Sequence, residues 1–292
     1  MKLIECIKNA EKNHIAIGHF NIGNLEQLKA IAHVGIKLNI PMIIGVSEGE
    51  RDYLGVGHVA DFVASYNKLH GKDGGFHLYL NADHTHSLEK IEEAAKAGFD
   101  AVLFDGGKLS IEENIKMTKE AIKIARAINP EIVVEGELGY IGSSSEILSK
   151  IPEGTAIKPE DLTSKELAVR FFSETGVDLL APAVGNIHGM YANMKNPHLD
   201  IERIRDIKDA VPASLVLHGG SGIPDEDFVR AIDAGISVIH ISTELRYIWR
   251  KELEDVLREH PMEIAPSKIM PEVLKAIEDV VEARVKLFSK LV

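Results

Sequence analysis

Short apolar runs alternate along this chain with longer stretches of helical periodicity. Eight runs, HIAIGHF (14–20), PMIIGVS (41–47), FHLYLNAD (76–83), AVLFDGG (101–107), IVVEGEL (132–138), LLAPAV (179–184), SLVLHGG (214–220) and SVIHIST (237–243), are rich in β-branched residues and read as strands. Between them lie amphipathic stretches such as NLEQLKAIAHVGIKLN (24–39), SLEKIEEAAKAG (87–98), IEENIKMTKEAIKIARAIN (111–129) and IERIRDIKDAV (201–211), which read as helices. Gly98, Gly176 and Gly235 close helices just before the next strand. The strands lack polar alternation, so both faces are expected to be buried, as in a parallel sheet covered by helices.

Eight strand–helix units without a composition break predict one domain over 1–292, an α/β chain folded as a (β/α)8 TIM barrel. The tail PEVLKAIEDVVEARVKLFSKLV (271–292) predicts an extra C-terminal helix. The rival is a Rossmann-like open sheet, but no GxGxxG follows the first strand. Two segments lack periodicity, 140–162 and 185–200, and loops of that length are usually lids or binding loops.

Composition narrows the setting. The 292 residues carry 33 basic and 45 acidic side chains, a net charge of −12, without a Lys/Arg run. Nucleic acid and anionic membrane are therefore not expected as partners. A phosphorylated small molecule remains open, because a helix N-terminus can hold phosphate on an acidic protein. The single cysteine, Cys6, excludes an intramolecular disulfide and reads as packing within the helix LIECIKNA. No apolar run approaches the length of a membrane span, and Met1-Lys2 leads into a charged helix rather than a signal peptide, so a cytoplasmic protein is expected.

In a barrel of this kind the chemistry gathers at the C-terminal ends of the strands. Those ends carry Asn81, Asp83 and His84, then Asp105, then Glu135 and Glu137, then His188 in GNIHG, His218 in HGGSG, and His240, Ser242 and Thr243. A lone histidine at a strand end is ordinarily hydrogen-bonded packing. The shared address of His84, His188 and His218 instead suggests a catalytic zinc site, where the ion is a Lewis acid on a carbonyl. The glycines after His218, with Ser242 and Thr243, suit a phosphate, although HGGSG can be a geometric turn and Ser242 a helix N-cap. Asp83 and His84 are adjacent, so on a regular strand they would point to opposite faces. Asp83 must then reach the site through a strand end or bend, or serve only to orient a ligand.

Taken together these segments resemble the class II, zinc-dependent fructose- and tagatose-bisphosphate aldolase family. The likeness runs through GHFNIGNLEQLKAI, PMIIGVSEG, Asn81-Ala-Asp-His84, LFDGGKLSIEENI, VEGELGYIG, GNIHGMY and LHGGSGI, one motif per strand end in order. The resemblance implies that His84, His188 and His218 hold Zn2+ or another divalent metal, with Glu137 near it or on a neighbouring metal position. It implies that Asp83 exchanges a proton with the C4 hydroxyl and that Asn21 and Ser47 face substrate. Gly189, Gly219, Ser221, Ser242 and Thr243 would hold the phosphate of dihydroxyacetone phosphate beside a monovalent cation. The reaction implied is reversible cleavage of a ketose 1,6-bisphosphate, first fructose 1,6-bisphosphate, with tagatose bisphosphate or another phosphoketose as the alternative, by a homodimer or homotetramer. No strand candidate contains the lysine that a Schiff-base aldolase needs.

The chain departs from the family in four places. His240 stands where asparagine is usual, as an acid–base or metal-facing group. In the loop after the fifth strand, where the family has glycines and acidic residues, this chain has Gly142-Ser-Ser-Ser-Glu146, and the resemblance makes Glu146 the candidate proton carrier. PSKIMPEV lacks the distal-phosphate arginine, leaving Lys268 as the nearest basic residue, and Ala192-Asn193 follow His188 where lysine is common. A non-catalytic relative that binds a metal or a sugar phosphate is the alternative of another class.

Overall fold

The structure is a computed structural model that describes residues 1–72, 74–142, 146–148, 155, 158–159, 161–191 and 196–291. Its strands are β1 (Ile17–Asn21), β2 (Pro41–Val46), β3 (His77–Thr85), β4 (Ala101–Phe104), β5 (Val133–Leu138), β6 (Ile147–Leu148), β7 (Leu179–Pro182), β8 (Met190–Tyr191), β9 (Ser214–Leu217) and β10 (Ile236–Ile241). All but β6 and β8 close into one parallel barrel, in the order β1, β2, β3, β4, β5, β7, β9, β10 and back to β1. The two short strands pair with each other and tie the long loops after β5 and β7 together. The open-sheet alternative is excluded by this closure.

Helices α1 (Leu3–Lys12), α2 (Leu25–Leu38), α3 (Glu48–Leu54), α4 (Val56–His70), α5 (Leu88–Lys96), α6 (Ile111–Ile128), α7 (Lys165–Thr175), α8 (Ile201–Ala210), α9 (Asp225–Asp233), α10 (Thr243–Glu259) and α11 (Pro266–Phe288) complete the described elements. The connection after β2 holds two helices, α3 and α4, split at Gly55. The tail helix begins at Pro266 rather than Pro271. Pro266 occupies the first turn, where its missing N–H costs nothing, and Pro271 follows inside the helix. α7 ends on Gly176 in the left-handed region (φ 68°). Among the described residues no helix is long and apolar enough to cross a membrane.

The barrel interior follows from period-2 alternation. Ile17, Ile43, Tyr79, Ala101, Val133, Leu179, Val216 and Val238, one from each barrel strand, form the lowest layer and pack on Leu3, Cys6, Ile7 and Ala10 of α1, which plugs the N-terminal end. Two residues further along the strands, the inward positions become His19, Gly45, Asn81, Glu135, His218 and His240, all at the level above that apolar floor. Two further still come Asn21, Ser47, Asp83, Glu137 and Ser242 at the mouth. An apolar floor thus supports a polar upper half.

Gly45 makes room for this second layer. A Cβ there would lie 2.0 Å from His19 Cε1, and His19 is itself stacked on His240 at a centroid distance of 3.4 Å. Overpacking of this kind costs about 1–3 kcal/mol. Gly45→Ala is therefore expected to lower the urea unfolding midpoint by that equivalent; an unchanged midpoint would mean that the His19–His240 stack shifts freely.

α11 lies across α10 and α2 and binds the first strand's approach through the Ala16 N–H to Phe288 O hydrogen bond (2.9 Å). Its Arg284 donates to both Glu244 carboxylate oxygens (2.8 and 2.9 Å) and to Asp225 (2.6 Å). Glu244 in turn accepts from the Gly222 N–H (2.9 Å), so the extra helix steadies the loop after β9.

Candidate active site

The C-terminal end of the barrel opens into a cleft of about 780 Å³. Its walls include Asn21, Ser47, Asp83, His84, Glu137, Glu146, His188, Gly189, Gly219, Ser221, His240, Ser242 and Thr243, the sequence-predicted site residues with the exception of His218. His218 lies directly beneath, 1 % exposed, and its ring is 5.0 Å from that of His84 and 5.9 Å from that of His188. The His84 and His188 rings are 4.7 Å apart. One ring nitrogen from each of the three lies within 4.8 Å of the others.

The backbone solves the problem of two adjacent side chains. The β3–β4 register shifts between Ala82 and Thr85, and His84 sits at φ 37°. That bulge turns His84 toward the cleft without removing Asp83 from it. A non-glycine residue in this region carries a backbone cost of about 1–2 kcal/mol, which the surrounding contacts must offset.

Each imidazole of the trio has one nitrogen occupied. His84 Nδ1 faces Asp105 Oδ2 (2.9 Å), His188 Nδ1 faces the Gly142 carbonyl (2.7 Å), and His218 Nε2 faces Glu135 Oε1 (2.6 Å). An oxygen acceptor on one nitrogen fixes the ring and directs the other nitrogen's lone pair away. Buried His218 Nδ1 has no hydrogen-bond partner among the described residues, and neither have Asp83 Oδ1 and Glu137 Oε2. Glu137 Oε2 is 3.6 Å from both His84 Nδ1 and His218 Nδ1.

Asn21 donates to Asp83 Oδ2 (2.9 Å), so its first contact is the carboxylate. Ser47 lines the cleft and also caps α3 in a capping box with Glu50. Ser242 occupies the N-cap position of α10 but makes no capping hydrogen bond there. Ser221 Oγ instead accepts from the Ser242 and Glu244 N–H groups (3.3 and 3.1 Å), and the buried Ser242 hydroxyl has no hydrogen-bond partner among the described residues. Gly219 has φ 62°, and a Cβ there would meet Ile187 O at 2.2 Å. The loop therefore needs glycine for its own geometry, and the turn and cradle readings coexist.

Lys268 is corrected by the structure: it is exposed, pairs with Glu263 (2.9 Å) and is absent from the cleft walls. Among the described residues the cleft's Lys and Arg side chains are Lys108, over the Tyr140 ring at 5.1 Å, and Arg246, paired with Glu50 (2.6 Å). Ala192-Asn193 and Ser143–Ser145 lie outside the described residues.

Comparison with known proteins fits this geometry. The family described as fructose-bisphosphate aldolase class-II matches residues 1–291. The chain belongs to the class II fructose-bisphosphate aldolase family. It is 36% identical to the 6-phospho-5-dehydro-2-deoxy-D-gluconate aldolase of Shouchella clausii over 284 residues, 97% of this chain and 92% of that one. It is 33% identical to a fructose-bisphosphate aldolase of Staphylococcus aureus, over 98% of this chain and 96% of the relative. The crystal structure of the YdjI aldolase from Escherichia coli K12 superposes with a TM-score of 0.79 at 28% identity, covering 98% and 96% of the two chains.

As a class II aldolase the chain is a lyase of a generally metal-dependent family, and the non-catalytic alternative falls away. Its residues fit a metal. Three neutral-capable imidazoles with oriented lone pairs, one of them buried and orphaned, form a donor set suited to a divalent ion.

The electrostatics add a proton to that exchange. Burial opposes charge on His84, but Asp83, Asp105 and Glu137 outweigh it and raise His84 well above its ordinary value. Burial, with the His84 charge adding to it, pushes His188 and His218 down to about 3. Burial and the Asp83 charge also push Glu135 well up. His84 is therefore favoured in its protonated form, and a divalent ion bound through it would have to displace that proton. Affinity for Zn2+ is expected to rise with pH through neutrality, with at least one proton released per ion. Titration calorimetry in buffers of different ionisation enthalpy checks this; a pH-independent affinity would contradict it.

Sequence reasoning assigned no role to His19 or Arg51. His19 sits inside an apolar run, and only the inward alternation from Ile17 could have flagged it. It is fully buried beneath His240, with Asn81 Nδ2 donating to its Nε2 (3.1 Å).

Proposed function

We propose that this class II aldolase reversibly cleaves fructose 1,6-bisphosphate to dihydroxyacetone phosphate and glyceraldehyde 3-phosphate, using a zinc ion held by His84, His188 and His218. The observation that carries the reading is the trio of imidazoles, each with its second nitrogen fixed by Asp105, Gly142 or Glu135, beside the unpartnered Asp83 Oδ1. When bound, the ion supplies Lewis acidity at the substrate carbonyl and stabilises the charge left as C3–C4 breaks.

The protein's own groups do the rest. Asp83 takes the proton of the C4 hydroxyl through Oδ1, while Asn21 holds Oδ2. In the metal-free site burial alone would neutralise Asp83, but the His84 charge above all outweighs it and keeps the carboxyl well below the usual range; a divalent ion on His84 would put positive charge in the same place once that proton has left, so that Asp83 stays ionised and ready to accept. His240, buried with neither ring nitrogen in a hydrogen bond among the described residues, offers one to the reacting end of the substrate. Glu146, on the cleft wall, carries the second proton. Gly189, Gly219 and Ser221, with Ser242 and Thr243 at the N-terminus of α10, bind the phosphate through N–H and hydroxyl donors, a monovalent cation beside them. Ser47 contacts the substrate, and Glu137, 3.6 Å from both His84 Nδ1 and His218 Nδ1, would stand beside an ion held by those rings. The active form is a homodimer or homotetramer in the cytoplasm.

A second reading has its own support. The Shouchella clausii relative is named for a phosphorylated keto acid, whose far end is a carboxylate rather than a phosphate. Among the described residues the cleft's Lys and Arg side chains are Lys108 and an Arg246 already paired with Glu50, which suits the smaller anionic charge.

A coupled assay of both substrates, with EDTA and with zinc restored, tests the proposal. The expected result is cleavage of fructose 1,6-bisphosphate that EDTA removes and zinc returns. Cleavage of only the keto acid would transfer the substrate to the second reading and keep the mechanism. EDTA-resistant cleavage would overturn the metal.

A further inference from the structure

We propose that Arg51 is a positioning residue for the metal site, holding the β3 bulge that presents Asp83 and His84 together. This rests on the reading of His84 as a metal ligand.

Arg51 lies on α3, just beyond the end of β2, yet its side chain is only 2 % exposed. Its guanidinium donates from NH1 to the Val46 carbonyl (2.6 Å) and to the Asp83 carbonyl (3.2 Å), and from NH2 to Thr85 Oγ1 (2.8 Å). Asp83 and Thr85 flank His84, the residue at φ 37° where the β3–β4 register breaks. One planar fork therefore grips both sides of the strained residue and fastens them to the neighbouring strand.

The choice of acceptors is informative. A buried cation is normally matched by a carboxylate. Among the described residues none lies within ion-pair distance of Arg51, and all three acceptors are neutral. The carboxylates of Asp83, Glu48, Glu93 and Asp52 act on this guanidinium only through space; its direct contacts are fixed, directed donors, and a planar fork suits all three acceptors at once. Asp83 O, which the bulge removes from regular ladder pairing, gains a donor from it. Thr85 Oγ1 also donates to Ala82 O (3.3 Å), so the contact continues across the whole bulge. Loss of the fork frees His84 to relax toward ordinary strand geometry, which would turn it away from His188 and His218.

The test uses the full chain with Co2+ as spectroscopic probe. Arg51→Lys keeps the charge and loses the fork; Thr85→Val removes one acceptor. Arg51→Lys is expected to weaken Co2+ binding by about 10–100-fold, the usual effect of losing a partner that orients a ligand. The visible Co2+ absorption band should shift, and at saturating metal kcat should fall with KM changed less than about threefold. Thr85→Val should move the same readouts in the same direction by less. If Arg51→Lys is too unstable to purify, Thr85→Val decides alone. Wild-type Co2+ affinity and an unchanged band, with only a lower melting temperature, would make Arg51 a structural residue and overturn the proposal. A His84→Ala control separates the premises: if it binds Co2+ normally, the ligand reading has failed instead.

Discussion

Asp83→Asn is expected to lower kcat for aldol cleavage by about 10²–10⁴-fold, the range for loss of a positioned general base, while KM changes little. The substitution keeps shape and the contact with Asn21, so the fold should hold. What disappears is the basic oxygen, Oδ1, which is buried and accepts no hydrogen bond among the described residues, with the His240 and His84 rings 3.6 and 3.8 Å away. The same carboxylate contributes to raising His84, so its removal also eases deprotonation of that ligand. The comparison must therefore be made at saturating metal, where differences in occupancy vanish. A variant with wild-type kcat would take Asp83 out of the chemistry and leave it an electrostatic role beside His84.

The other large effect is expected for His218→Ala. Loss of a direct ligand should weaken metal binding beyond the about 10–100-fold typical of an outer partner, and turnover should become undetectable at ordinary zinc concentrations. His218 is also the only partner that reaches Glu135 among the described residues, at 2.6 Å. Its removal strands a buried carboxyl, at a cost of about 1–3 kcal/mol in stability. Metal content per chain after dialysis, with the unfolding midpoint, measures both consequences. Full zinc stoichiometry in the variant would show that His218 serves the barrel interior and not the metal.

Much of this was legible in the chain before any coordinates. The eight strands and their order could be read because buried parallel strands are written as uninterrupted β-branched runs. The motif residues could be read because a barrel collects its polar strand ends at one mouth, and His84, His188 and His218 do converge there. Less accessible was anything that depends on depth. His19 lies in the same apolar run as Ile17, and nothing local distinguishes a histidine inside the barrel from one on its surface. Arg51 looks like an exposed helix residue among Glu48, Glu50 and Asp52, and only the tertiary fold turns it beneath β3. Ser242 carries the residue type of a helix cap, but Ser221, 21 positions away, supplies the hydrogen bond. Lys268 shows the same limit in reverse: it stands near a family feature in sequence, but in the fold it is exposed, pairs with Glu263 and is absent from the cleft walls.

The helix added after the eighth unit has a bearing on how variation in this enzyme should be interpreted. Arg284 touches no proposed substrate contact, yet through Glu244 it is one hydrogen bond from the Gly222 backbone and thus from the loop proposed to cradle phosphate. Distance from the chemistry is then a poor guide to functional weight. Sequence changes on the outer helix would register as altered substrate affinity, and a comparison of natural variants that scored only cleft residues would overlook them.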